Sequence, residues 1–172
     1  FAMPLLLITL GLAACQTSSK GPQAVTQATP AQEAVLIDRV KTLQGTWECD
    51  DVHGEKGTCV YQVSSNGSAV REIMFPGTQH EMTNMYTMDG PELLVTHYCA
   101  MGNQPHMKAK AGDANRIEFK CCGVSNLASP SQLYMGELTI TFVDANHMRQ
   151  EWRSFENGKA GEPMSMEFVR RN

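Results

Sequence analysis

Glu72, His80, Asn84, His97 and Cys99 are the side chains best suited to chemistry, because hairpin arithmetic gathers them on one face of neighbouring strands. Residues opposite each other in an antiparallel pair share a face, so alternation carries across a tight turn. A two-residue loop at Asn66-Gly67 sets Val63 against Val70, Tyr61 against Glu72 and Cys59 against Met74. A turn at Asp89-Gly90 sets Tyr86, Asn84, Met82 and His80 against Leu93, Val95, His97 and Cys99. These last four form the inward face, since Glu92, Thr96 and Tyr98 occupy the other. An enclosed carboxylate or imidazole needs a partner to offset its lost hydration. The cluster therefore reads either as a self-satisfied structural network or as polar groups that orient a ligand in a largely apolar cavity. On the second reading Glu72, His80, Met82, Asn84, Tyr86, His97 and Cys99 bind the ligand.

Other chemistries are less well supplied. His97-x-Cys99 with His80 offers soft-metal ligand types, yet no Cys-x-x-Cys or His-x-x-x-His completes a tetrahedral set. Metal and cofactor occupancy stay open. Cys99 beside His80 could form a thiolate nucleophile, with Glu72 as a base. No Gly-x-Ser-x-Gly elbow or phosphate loop accompanies them, so no residue is assigned as catalytic and binding is expected before catalysis. Met82-x-x-Met85-x-x-Met88 has soft thioethers suited to Cu(I). On a strand, a spacing of three puts successive methionines on opposite faces, so they read as adaptable core filler.

The elements that must position these groups are mostly strands. Asn66-Gly67, Asp89-Gly90, Gly112-Asp113 and Asn157-Gly158 mark tight turns between alternating runs. Strands are expected near 45–52, 57–65, 68–75, 80–88, 91–99, 106–111, 115–122, 134–143, 147–155 and 161–170. Consecutive hairpins make a meander, and closing it removes its exposed edges. Before it, Thr29-Pro30-Ala31-Gln32 is an N-cap, a proline at the first helical position and a capping-box glutamine. Val35, Leu36, Val40 and Leu43 follow near helical spacing and Gly45 ends the run, so one short amphipathic helix is expected. Trp47 and Cys49 point inward in the first strand; a turn centred on Gly54 places Cys59 opposite Cys49, which predicts a disulfide between them. Met107, Ala109, Ile117, Phe119, Cys121, Leu138, Ile140, Phe142, Met148, Trp152, Met166 and Phe168 complete the expected interior.

A short helix followed by Leu43-Gln44-Gly45-Thr46-Trp47 at the head of a ten-strand meander is similar to lipocalin-like (calycin) barrels. Thr96-His97-Tyr98-Cys99 with Gly102-Asn103-Gln104-Pro105 also resembles an uncharacterised bacterial family of this shape. The resemblance implies an all-β, antiparallel up-and-down barrel of about 8–10 strands over residues 29–172. It further implies closure of the barrel by Arg170 of the last strand lying over Trp47. Some barrels of this shape hold haem through one histidine, for which His97 is the candidate.

The N-terminal residues speak to location. The apolar run Pro4–Leu12 is too short to span a bilayer as a helix, which takes roughly 20 residues. With Leu12-Ala13-Ala14-Cys15 at its end it resembles the lipobox of bacterial lipoproteins, although the chain opens Phe1-Ala2-Met3 without a basic stretch and reads as truncated there. The resemblance implies a signal peptide over 1–14, acylation of Cys15 and a lipidated tether over 15–28. Gln16 after the cysteine implies the outer membrane of a bacterial envelope, with the barrel facing the periplasm. A net charge of −4 without a basic stripe argues against nucleic acid as a partner. The function expected is binding of an apolar or amphipathic small ligand inside the barrel. The alternatives are a protein-binding module, such as an envelope hydrolase inhibitor using loops 100–105 and 123–133, or a metal- or haem-binding barrel.

Overall fold

The computed structural model describes residues 21, 23–50 and 56–171. Cys15, with the expected signal peptide and its lipobox, lies outside the described residues. The ten expected strands are all present: β1 (Gly45–Asp50), β2 (Lys56–Ser64), β3 (Ala69–Met74), β4 (Met82–Asp89), β5 (Glu92–Tyr98), β6 (Gln104–Lys110), β7 (Arg116–Ser125), β8 (Tyr134–Phe142), β9 (His147–Glu156) and β10 (Lys159–Arg170). Each pairs antiparallel with the next, and β1 pairs with β10 to close the barrel. Full closure leaves no strand with an unpaired edge.

The helix departs from a single piece. Thr29 caps it as a capping box, with Gln32 N–H donating to Thr29 Oγ1 at 3.3 Å and Thr29 N–H to Gln32 Oε1 at 2.8 Å. It then breaks at Leu36 (φ −114°, ψ −96°) into α1 (Pro30–Val35) and α2 (Ile37–Lys41). The break turns Leu36 and Ile37 inward together with Val40 and Leu43, all buried, while Val35 stays partly covered. These side chains plug the end of the barrel where α2 packs on β2, β3 and β4. The other end gathers the connections 75–81, 99–103 and 126–133.

Two interactions fasten the plugged end. Trp47 Nε1–H donates to the Leu43 carbonyl at 2.7 Å, and the Arg170 guanidinium lies 4.2 Å above the Trp47 ring. Arg170 also donates to the carbonyls of Gln44 (2.7 Å), Thr42 (2.8 Å) and Ala145 (2.9 Å). One side chain thereby ties the helix exit, the first strand and the β8–β9 turn together.

Inward alternation holds along the strands, while two registers differ from expectation by two residues. Trp47 pairs with Cys59, and Cys49 with Gly57, rather than Cys49 with Cys59. The expected Cys49–Cys59 disulfide is not formed. Gly57 lacks the Cβ that would stand 2.9 Å from Cys49 Sγ and 2.8 Å from the Phe75 ring, so the sulfur packs over the glycine. In the second case Asp89 pairs with Glu92, so the turn residues are Gly90 and Pro91 and Asn84 meets His97. A third irregularity is a bulge: His106 pairs with Gly123 and Met107 with Cys121, which leaves Cys122 as the extra, exposed residue.

Replacing Arg170 by Ala removes the cation–π contact and three donors. A partly desolvated contact of this kind contributes about 2 kcal/mol. In a chain of this size that corresponds to a Tm lowered by about 4–8 °C. Circular dichroism should show unchanged strand content, and an unaltered thermal midpoint would remove Arg170 from the closure.

Candidate functional site

The site is built outward from one carboxyl group. Glu72 on β3 is 0% exposed, and donors from three other strands converge on it. Tyr86 Oη–H (2.6 Å) and Asn84 Nδ2–H (2.7 Å) donate to Oε2 from β4. Gln150 Nε2–H (2.6 Å) donates to Oε1 from β9, and the Cys59 thiol lies 3.5 Å from the same oxygen on β2. The Tyr61 hydroxyl joins the group, and Gln150 Nε2–H also donates to Tyr61 Oη at 2.6 Å. Burial first, and Glu72 second, push the Cys59 thiol and both phenols well above their usual ranges, so all three keep their protons.

The orientation of each amide then follows. Asn84 turns its NH2 toward Glu72, so its Oδ1 faces His97 Nδ1 at 2.7 Å. A carbonyl oxygen only accepts, hence Nδ1 carries the hydrogen. Burial pulls His97 down from 6.5 to about 4, so the ring is neutral near pH 7 and Nε2 holds a bare lone pair. That Nε2 has no hydrogen-bond partner among the described residues, although His97 is 1% exposed. On its other side Gln150 Oε1 accepts from Trp152 Nε1–H at 2.8 Å, and the Trp152 ring lies 5.0 Å from the His97 ring.

His97 is where this network meets a pocket of about 580 Å³ at the unplugged end. Asn84 holds the ring's Nδ1, and its Nε2 is buried without a partner among the described residues. Met74, Met82, Met101, Met135, Met164 and Met166 line the pocket together with Phe75, Cys99 and Trp152. Lys56, Thr78 and His80 stand at its rim. Asn103 fixes the neighbouring loop, its Nδ2–H donating to the Leu133 carbonyl at 2.9 Å and its backbone carbonyl accepting from Cys99 N–H at 3.2 Å.

The sequence-derived cluster thus divides. Glu72, Asn84 and Tyr86 lie in the closed network, away from the pocket; Met82 and Cys99 are half-buried in its wall. His80 is a correction. It was expected inside, opposite Cys99, but sits exposed in the 75–81 connection, because β4 starts only at Met82 and the β4–β5 register is displaced by two. The expected pairing of Tyr61 with Glu72 holds, while Gln150 and the methionine-rich mouth were not anticipated as a site. Gln150 was detectable, since it alternates with Met148 and Trp152 on an inward face. As for metals or cofactors, the His97 Nε2 lone pair is what an iron or other metal would require, and the thioethers beside it are soft donors.

No protein-family model matches the sequence, and no curated protein matches it. Solved structures do. A protein of unknown function from the DUF3598 family of Nostoc punctiforme aligns with a TM-score of 0.51 at 11% identity, covering 77% of this chain and 49% of its own. This chain thus spans about half the length of the Nostoc protein. Rv2717c from M. tuberculosis aligns with a TM-score of 0.51 at 13% identity, covering 85% of this chain and 100% of its own. At such identities the likeness is one of fold, a ten-strand antiparallel barrel consistent with the calycin type.

The depressed His97 pKa makes stability depend on acid. Between pH 6.5 and about 4 the unfolded chain binds a proton at this residue that the folded barrel excludes. The contribution is whole above about pH 6.5, falls as pH drops through the window, and amounts to roughly 3 kcal/mol. Urea midpoints measured from about pH 7 down to about 4.5 should fall for the native protein and fall less for His97→Phe. Parallel slopes would place the acid sensitivity elsewhere.

Proposed function

We propose that the barrel is a binding module for a largely apolar small ligand that carries one hydrogen-bond donor, taken up through the methionine-rich mouth. The observation that carries this reading is His97 Nε2, an acceptor 1% exposed, without a partner among the described residues, on a residue that lines the pocket. An unpaired buried acceptor costs about 1–3 kcal/mol, and a donor on the ligand recovers it. The wall supports an apolar body: six methionines adapt to irregular shapes, and Phe75 and Trp152 add flat surfaces.

We propose the bacterial envelope as the setting, on the support of Leu12-Ala13-Ala14-Cys15 behind an apolar run. The position of Val25 and Thr26 is in keeping with a mouth that faces away from a membrane. Gly90 (φ +60°), in the β4–β5 turn at the plugged end, lies beneath the tether, where a Cβ would stand 2.8 Å from the Thr26 carbonyl oxygen. Residues Val25 and Thr26 therefore lie at the end opposite the pocket.

Two probes of near-equal size test the ligand reading: 4-hexylphenol, which donates a hydrogen bond, and 4-hexylanisole, which does not. Displacement of Nile red from the native barrel should favour the phenol by about 5–150-fold, the equivalent of 1–3 kcal/mol. His97→Phe should bring the two probes to equal affinity. A phenol preference that survives the substitution, or failure of both probes to displace the dye, would refute the reading. For the anchor, Cys15→Ala should move the full-length precursor from the membrane to the soluble fraction. Retention on membranes through a high-salt wash would assign the attachment to another segment.

A further inference from the structure

Sulfur-bearing side chains share a pocket with the residue that carries the unpartnered imidazole nitrogen. His97 lies on the inner face of β5 and Cys99 directly follows the strand, and both line the mouth pocket. The β4–β5 ladder ends at Thr83–Tyr98, next to Met82 and Cys99, which line the same pocket. Met82 in turn pairs with Met74, whose Sδ lies 3.5 Å from Asn84 Nδ2. Directly opposed residues on adjacent strands have Cβ atoms about 4.5–5.5 Å apart, so side chains at these positions reach a common point. Among the described residues no three of His, Cys, Asp and Glu converge, so a metal ion here has to take thioethers.

We propose that His97 Nε2, the Cys99 thiolate and the Met82 thioether form a site for Cu(I). One imidazole and two sulfurs are soft and borderline donors that suit Cu(I) and offer hard cations nothing. Binding releases the Cys99 proton, and the resulting thiolate cancels the charge of the ion. The complex is then neutral, as a pocket walled by methionines requires. The second shell is already assembled: Glu72 holds Asn84, and Asn84 takes the Nδ1 hydrogen, which fixes the ring with Nε2 free to coordinate. Copper and a donor-bearing organic ligand would compete for the same lone pair, and either can fail without the other.

The test is Cu(I) competition against bicinchoninate under anaerobic, reducing conditions. The full chain carries Cys15→Ser, Cys121→Ser and Cys122→Ser, which removes Cys15 and the two β7 thiols. One equivalent of Cu(I) should be withdrawn from the chelator, with thiolate-to-copper absorption in the ultraviolet that Cys99→Ser abolishes. His97→Phe and Met82→Leu should each weaken binding, and Asn84→Leu should weaken it by about 10–100-fold through loss of ring orientation. Met85→Leu, on the outward face of β4, should change nothing. Circular dichroism checks folding of each variant, and Met82→Leu stands as the ligand test should His97→Phe not fold. Failure of the native ligand set to compete with the chelator would overturn the proposal. So would Cu(I) affinity indifferent to Met82 and His97, and in both cases the Nile red measurement would still judge the organic-ligand reading.

Discussion

Glu72 is a carboxyl group without access to water, and the interior of the barrel is arranged around satisfying it. A buried charge or polar acid is tolerable only when its acceptor sites are filled. Here the donors come from β2, β4 and β9, strands that reach the residue from its own side and from across the lumen. The carboxyl therefore decides which way Asn84 and Gln150 point. Asn84 decides the tautomer of His97, and Gln150 collects the indole of Trp152. A chain of single-valued choices runs from one acid to the lip of a pocket.

That chain ends on an unfilled acceptor rather than a donor, and the distinction matters for what the pocket can hold. Every other buried polar atom of the cluster is paired, so the exception at Nε2 is a property of the assembled network and not of loose packing. The two ends of the barrel are correspondingly unlike. One is stoppered by Leu36, Ile37, Val40 and Leu43 and fastened by Arg170 across Trp47. The other is walled by flexible thioethers and leaves about 580 Å³ unfilled. Methionine side chains adapt to irregular shapes, so this end packs without one fixed outline.

The all-β architecture was legible because alternation and turn dipeptides are local. Asn66 and Gly67, and Asn157 and Gly158, take the positive φ values that such turns require. The Gly45–Trp47 start and the capping box at Thr29 were equally local. Where the reading slipped, it slipped by two residues: the turn after β4 falls on Gly90-Pro91 instead of Asp89-Gly90, and β1 meets β2 with Trp47 against Cys59. The Cys49–Cys59 bridge was lost by such a slip, whereas His80 fell outside because β4 starts only at Met82.

The sequence by itself determined which side chains point inward, because a register error of two leaves the face of every residue unchanged. Glu72, Asn84, Tyr86 and His97 could therefore be placed inside before any partner was known. Only the tertiary structure decided how they pair. Gln150 is 78 positions from Glu72, and it meets the acid because closure brings β9 across the lumen from β3. Alternation along a strand carries no record of what stands opposite through the barrel. Nor does it tell which polar atom will be satisfied and which, like His97 Nε2, will be left buried without a partner among the described residues.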